Sequence, residues 1–99
     1  IEKGDRKMKQ PETRIISKRE LSLKEMQDIV GGNIELAYDD GKIQIICNEE
    51  GKMYGLPLNK KATEIWHDKL SKFNSNPNYV PQDYLVGTVL ILRDKALMT

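Results

Sequence analysis

The sequence predicts an α+β domain: about five short strands in a small mixed or antiparallel sheet, packed with two helices in the order β-α-β-β-β-α-β. Three observations carry that prediction. Ser22 and Glu25 form an S-x-x-E capping box, followed by the apolar stripe Met26, Ile29, Val30 at i, i+3, i+4. Asp39-Asp40-Gly41-Lys42 separates an alternating run from a β-branched one, which reads as a hairpin. Asn59, a good N-cap, precedes a second helical stripe of Ala62, Ile65, Trp66, Leu70 and Phe73. The same order allows a partly closed barrel.

Residues 1–11 are polar, charged and without periodicity. They are expected to form a poorly ordered N-terminal tail, native or left over from cloning, with Met8 as a plausible start. The single domain then spans 12–93. Glu12 to Lys18 is a short strand. Leu21 and Met26 occupy the positions of a hydrophobic staple at the start of the first helix, and Gly31-Gly32 ends that helix. Ile34, Leu36 and Tyr38 alternate with Asn33, Glu35 and Ala37, and Ile43 to Cys47 is the return strand. Asn48-Glu49-Glu50-Gly51 is a second turn. Lys52 to Leu56 is expected as the third strand of a meander, stopped by Pro57. After the second helix, residues 60–73, Asn74 to Asp83 is a polar loop with Pro77 and Pro81. Tyr84 to Arg93 is nearly continuous in apolar character, as a central strand would be. Residues 94–99 are a C-terminal tail.

Composition narrows the function. The 99 residues hold one core, and 16 basic against 15 acidic side chains leave a formal charge of +1. That balance gives no global field for nucleic acid. One cysteine, Cys47, excludes an internal disulfide and suits a reducing compartment. No apolar run reaches the length of a membrane span or a signal peptide, so a cytoplasmic location is expected and no membrane partner. His67 is the only histidine, and with one cysteine no standard zinc ligand set can be assembled. Cys47 and Trp66 read as core residues. No cofactor, metal or catalytic residue is expected.

The densest stretch is Asn48 to Lys61, "NEEGKMYGLPLNKK". Glu49-Glu50 is expected at a hairpin tip, where neighbouring carboxylates in water make a poor acid–base pair. Lys60 and Lys61 fall in the first turn of the second helix, against its macrodipole. Backbone amides at a helix start, with lysines beside them, can receive an anion. Tyr54, Gly55, Leu56, Pro57, Asn59, Lys60 and Lys61 are therefore the candidate ligand-binding residues, with Tyr54 or Tyr38 stacking on a base. The competing possibility is that both lysines point into solvent.

The segments "MQDIVGGNIEL", "IICNEEGKMYGLPLN" and "DYLVGTVLIL" together resemble an uncharacterised family, domain of unknown function 3846, over residues 12–93. The family pattern often has an aromatic residue where Asn33 stands and a second proline where Leu58 stands, and the Asn74–Asp83 loop is expanded. The resemblance implies a phage or mobile-element setting and supplies no activity. The expectation is a small non-enzymatic binding protein. It would sequester an anionic, nucleotide-like molecule or bind a host protein through a sheet edge or the Asn74–Asp83 loop. The alternative is an accessory nucleic-acid-binding protein using the basic arm of Lys3, Arg6, Lys7, Lys9, Arg14, Lys18 and Arg19 together with the Lys60-Lys61 pair. An enzyme would require Glu49, Glu50 and Asp83 to converge in space. Sheet edges also allow a homodimer.

Overall fold

The computed structural model describes residues 10–99. The expectations placed on residues 1–9, including Lys3, Arg6, Lys7 and Lys9, lie outside the described residues. The elements are β1 (Thr13–Ile16), α1 (Leu23–Val30), β2 (Ile34–Asp39), β3 (Ile43–Asn48), α2 (Lys60–Phe73) and β4 (Val89–Arg93), closed by a 3-10 turn at Asp94–Ala96. The strands form one mixed sheet in the order β1-β4-β3-β2, with β1 parallel to β4 and the other neighbours antiparallel. The fold is α+β, as the sequence predicts. The sheet does not close into a barrel, because β1 and β2 pair on one side only.

Successive side chains on the central strands go to opposite faces, and both faces are covered. Ile45, Cys47, Val89 and Ile91 pack with Ala62 and Trp66 of α2, together with Tyr38 and Leu85. Ile46, Leu90 and Leu92 pack with Met26 and Val30 of α1 and with Ala96. A strand buried on both faces reads as an unbroken apolar run, which is why β4 looks as it does in the sequence.

The local signals for α1 operate as written. Ser22 Oγ accepts from Glu25 N at 3.1 Å, and Glu25 Oε1 accepts from Ser22 N at 2.8 Å. Gly31 closes the helix at φ 84°, where its N–H donates to Gln27 O. Arg19 meets the same Glu25 through both guanidinium nitrogens, at 3.1 and 2.6 Å. The Arg19 hydrogen bond and then the Ser22 amide hold the Glu25 carboxyl down at about 2, from 4.5. A carboxyl depressed by folding stabilises the fold above its unfolded value, and that contribution disappears as pH falls through the folded one. Glu25→Gln should therefore lower the urea midpoint at pH 7. The gap to the parent should shrink between pH 4.5 and about 2; a gap independent of pH contradicts this assignment.

The β2–β3 hairpin turns on two aspartates. Asp39 Oδ1 accepts from Gly41 N, and Asp40 Oδ1 accepts from Lys42 N and Ile43 N at 2.8 Å each. A bulge between Leu36 and Tyr38 breaks the expected alternation. Tyr38 is buried while Leu36 is left 47% exposed.

Three expectations are corrected. Lys52 to Leu56 is not a strand, so the sheet has four strands rather than five. Asn48 Oδ1 takes Glu50 N, Tyr54 N bonds Glu50 O, Gly55 N bonds Lys52 O, and Leu56 N returns to Gly51 O. These local bonds use the groups a ladder would need. Gly55 at φ 69° turns the chain, and the only isolated bridge among the described residues is Leu58 with Val86. The Tyr84–Arg93 run likewise breaks at Gly87, φ 75°, and β4 begins at Val89. Residues 94–99, expected as a tail, are docked: Ala96 is buried, and Gln44 donates to Met98 O and accepts from Met98 N. The Asn74–Asp83 loop has no helix or strand, as expected.

Candidate binding cleft

Asn59 caps α2 as the sequence predicts, with Oδ1 accepting from Ala62 N at 2.9 Å. It does much else. The same oxygen accepts from Thr13 Oγ1, while Nδ2 donates to Glu12 O and Gly87 O at 3.1 and 2.9 Å. The side chain is 1% exposed and its polar atoms are all paired internally, so Asn59 ties β1, α2 and the approach to β4 together rather than meeting a ligand. Lys60 and Lys61 are exposed at the start of α2 and line none of the three principal cavities. Leu56 and Pro57 border a shallow groove of about 320 Å³ beside Glu12 and Thr88. Tyr54 is exposed and donates its hydroxyl to Glu50 Oε1, whose negative charge raises the phenol pKa. Tyr38, the other stacking candidate, is buried against Phe73 and donates to Asp40, so it has no face for a base. The seven expected ligand residues are not gathered around one cavity.

A different cleft, of about 390 Å³, opens where the start of β2, the end of β3, the Glu49–Met53 turns and residues 83–86 meet α2. Its buried lining includes Cys47, Trp66, Leu85 and Val86, and its exposed lining includes Leu36, Met53 and Tyr84. Glu35, Glu49, Glu50 and Asp83 bring four carboxylates to it, against the single cation Lys52. The three acids expected to matter only if they converged do share this cleft. Among the described residues, no three His, Cys, Asp or Glu side chains form a group that could hold a metal ion.

One wall is firmly built. Lys52 Nζ is paired with the Asp83 carboxylate and lies 4.3 Å from the Tyr84 ring centroid. The Lys52 hydrogen bond, then the Tyr84 amide, hold the Asp83 carboxyl below its ordinary value, and Asp83 in turn raises Lys52. His67 Nε2 is 2.6 Å from Asp83 O, so this nitrogen carries the proton and pins the segment to α2. Burial, reinforced by the charge of Glu35, pushes the Cys47 thiol up to about 11. It is therefore a protonated packing residue at neutral pH, not a nucleophile.

One buried polar atom of a lining residue lacks a partner. Trp66 is 9% exposed, and its indole Nε1 has no hydrogen-bond partner. Buried polar atoms are nearly always paired, and Trp66 Nε1 is the one buried side-chain nitrogen or oxygen among the described residues that is not.

Glu35, Leu36, Lys52 and Tyr84 were not singled out as site residues from the sequence, and Trp66 was assigned to the core alone. The available signal was indirect: N-E-E-G-K and D-Y-L-V-G, two of the segments carrying the family resemblance, meet along one wall of the cleft. Among the described residues no helix is long and apolar enough to cross a membrane. No curated protein and no solved structure matches the chain. The family described as Domain of unknown function (DUF3846) matches over residues 5–96, and the chain belongs to that family.

Proposed function

We propose that this chain is a small non-enzymatic binding protein, of phage or mobile-element type, that engages its ligand in the cleft between the Glu49–Met53 turns and residues 83–86. The observation that carries the proposal is the cleft of about 390 Å³ itself, whose lining sets Cys47, Trp66, Leu85 and Val86 beside Glu50, Lys52 and Asp83. That volume falls in the usual range for small-molecule sites, and the mixture of apolar lining with a few polar groups is typical of them. The Gly55–Lys61 segment has less support, because Asn59 is internally paired and the lysines border no cavity. A basic groove of about 560 Å³, with Arg14, Lys18 and Arg19, runs between β1 and α1. It supports the nucleic-acid alternative less well, since Arg19 is already paired with Glu25.

Native mass spectrometry of the protein, drawn gently from cells that make it, tests the proposal and reads oligomeric state in the same spectrum. The expected result is a retained mass that is lost from Glu50→Lys and kept by Lys60→Glu/Lys61→Glu. The reverse pattern returns the site to the start of α2. A bare chain in every case favours a host-protein partner over a tightly held small ligand.

A further inference from the structure

The sheet has two edges, and they are not alike. β2 is guarded: a bulge between Leu36 and Tyr38 disturbs its backbone, and Glu35 and Asp39 stand exposed along it. β1 has no bulge and no carboxylate between Thr13 and Ile16. We infer that β1 is a docking edge, onto which an extended, acidic segment of a partner protein adds as a further strand. This surface is separate from the cleft, and the inference stands whether or not the cleft holds a small molecule.

The backbone supplies the first argument. Glu12 O accepts from Val89 N at 2.9 Å, while Thr13 is in register with Val89 and Ile15 with Ile91. In a parallel ladder so paired, the N–H and C=O groups of Arg14 and Ile16 turn toward β4. Those of Thr13 and Ile15 turn outward, and among the described residues no strand meets them. A donor and an acceptor from each therefore stand along the outer edge, at the spacing of another extended chain.

The side chains suit the same occupant. Ile15 lies on the α2 side of the sheet, level with Ile91, and is 50% exposed. On the α1 side, the groove of about 560 Å³ runs beside β1 with Ile16, Leu21 and Ile29 as its apolar lining. An added strand alternates its side chains between these two sides and finds apolar contact on both.

Charge sets the partner's sign. Glu25 and Asp28 of the groove are taken by Arg19 and Lys24. Arg14 and Lys18 have no ion pair with a described residue, so the groove attracts carboxylates. A second copy of this chain would bring the same cations face to face across a two-fold axis. Residues 1–9, with Lys3, Arg6, Lys7 and Lys9 against Glu2 and Asp5, have the wrong sign as well. Nucleic acid has the right sign, but its phosphates only accept, and no aromatic side chain lines the groove to stack its bases.

Amide hydrogen exchange on the full, isotope-labelled chain tests this, with the peptide acetyl-Glu-Val-Glu-Val-Glu-Val-Glu-amide as probe. One control peptide replaces every Glu by Lys, and another methylates every backbone nitrogen. The acidic peptide is expected to slow exchange saturably at Thr13 and Ile15, while Arg14 and Ile16, already bonded to β4, change little. Arg14→Glu/Lys18→Glu should weaken it about tenfold. Ile15→Pro removes an outward N–H without taking a bond from β4, so it should stay folded and lose the peptide. Equal binding of the acidic and lysine peptides overturns the inference, as does equal binding of the methylated one or parent-like affinity in Ile15→Pro. So does the absence of saturable protection up to the acidic peptide's solubility limit. Slow exchange at Thr13 and Ile15 in the free chain overturns it too. Protection that grows with protein concentration then assigns the edge to a second copy, and protection independent of concentration to a segment of the same chain. If a short single-stranded oligodeoxynucleotide shifts the Arg14 and Lys18 signals and the acidic peptide does not, the groove belongs to nucleic acid instead.

Discussion

Asn59→Ala should destabilise the protein by about 3 kcal/mol. The side chain makes four hydrogen bonds from a position that is 1% exposed. Loss of an N-cap alone costs about 1 kcal/mol. Stranding the carbonyl of Gly87, itself a buried residue, adds a further ~1–3 kcal/mol. Glu12 is exposed and water can replace Asn59 at its carbonyl, so that bond contributes little to the total. Urea unfolding at neutral pH measures the loss. Asn59→Ser separates the two roles, since serine keeps a capping oxygen but cannot reach two carbonyls with donors. Its cost should therefore remain well above that of a cap exchanged for another cap. If Asn59→Ala unfolds at nearly the parent's urea concentration, the side chain is no more than a surface cap and could serve a ligand after all.

Asn59 also shows where sequence reasoning stops. Its capping role was legible, because a cap is a relation between residues three apart, Asn59 and Ala62. Its bonds to Glu12, Thr13 and Gly87 cross separations of 28 to 47 residues and leave no local trace. The same division holds across the fold. The capping box of α1, the Asp-Gly hairpin and the α2 stripe are short-range features, and each stands where the sequence put it. The stretch from Lys52 to Leu56 misled because Met53, Tyr54 and Leu56 have strand-like composition. The amides of Tyr54, Gly55 and Leu56 are already taken by local carbonyls within turns that begin at Asn48. Gly51 explains part of this: a Cβ there would come within 2.8 Å of Val86 Cγ2, so the turn is pressed against the segment leading to β4. The cleft was illegible for the reason that applies to most sites. Lys52 and Asp83 stand 31 residues apart, and only the folded chain sets them face to face. Glu49 and Glu50 do lie in turns, as expected, but the turns form a wall.

Leu90→Ala should cost about 3 kcal/mol, out of a total stability of roughly 5–15 kcal/mol for a domain of this size. Leu90 is fully buried on a central strand, between Ile46 and the Met26–Val30 face of α1. Ile91, its neighbour, points the other way, toward Ala62 and Trp66. Ile91→Ala should therefore cost a similar amount, through a different helix. This pairing is the sharpest check on the architecture, because a sheet with one wet face would tolerate one of the two substitutions and not the other. Ile15 provides the control: it is the register partner of Ile91 on the edge strand β1 and is 50% exposed. Ile15→Ala should change stability by no more than about 0.5 kcal/mol. The two core variants also differ in what they do to the cleft. Ile91 packs with Trp66, so its truncation should shift the Trp66 indole resonance, whereas Leu90→Ala should leave that resonance in place at the same loss of stability. Were Leu90→Ala to move the indole and Ile91→Ala not, the assignment of the two helices to opposite faces of the sheet would be wrong.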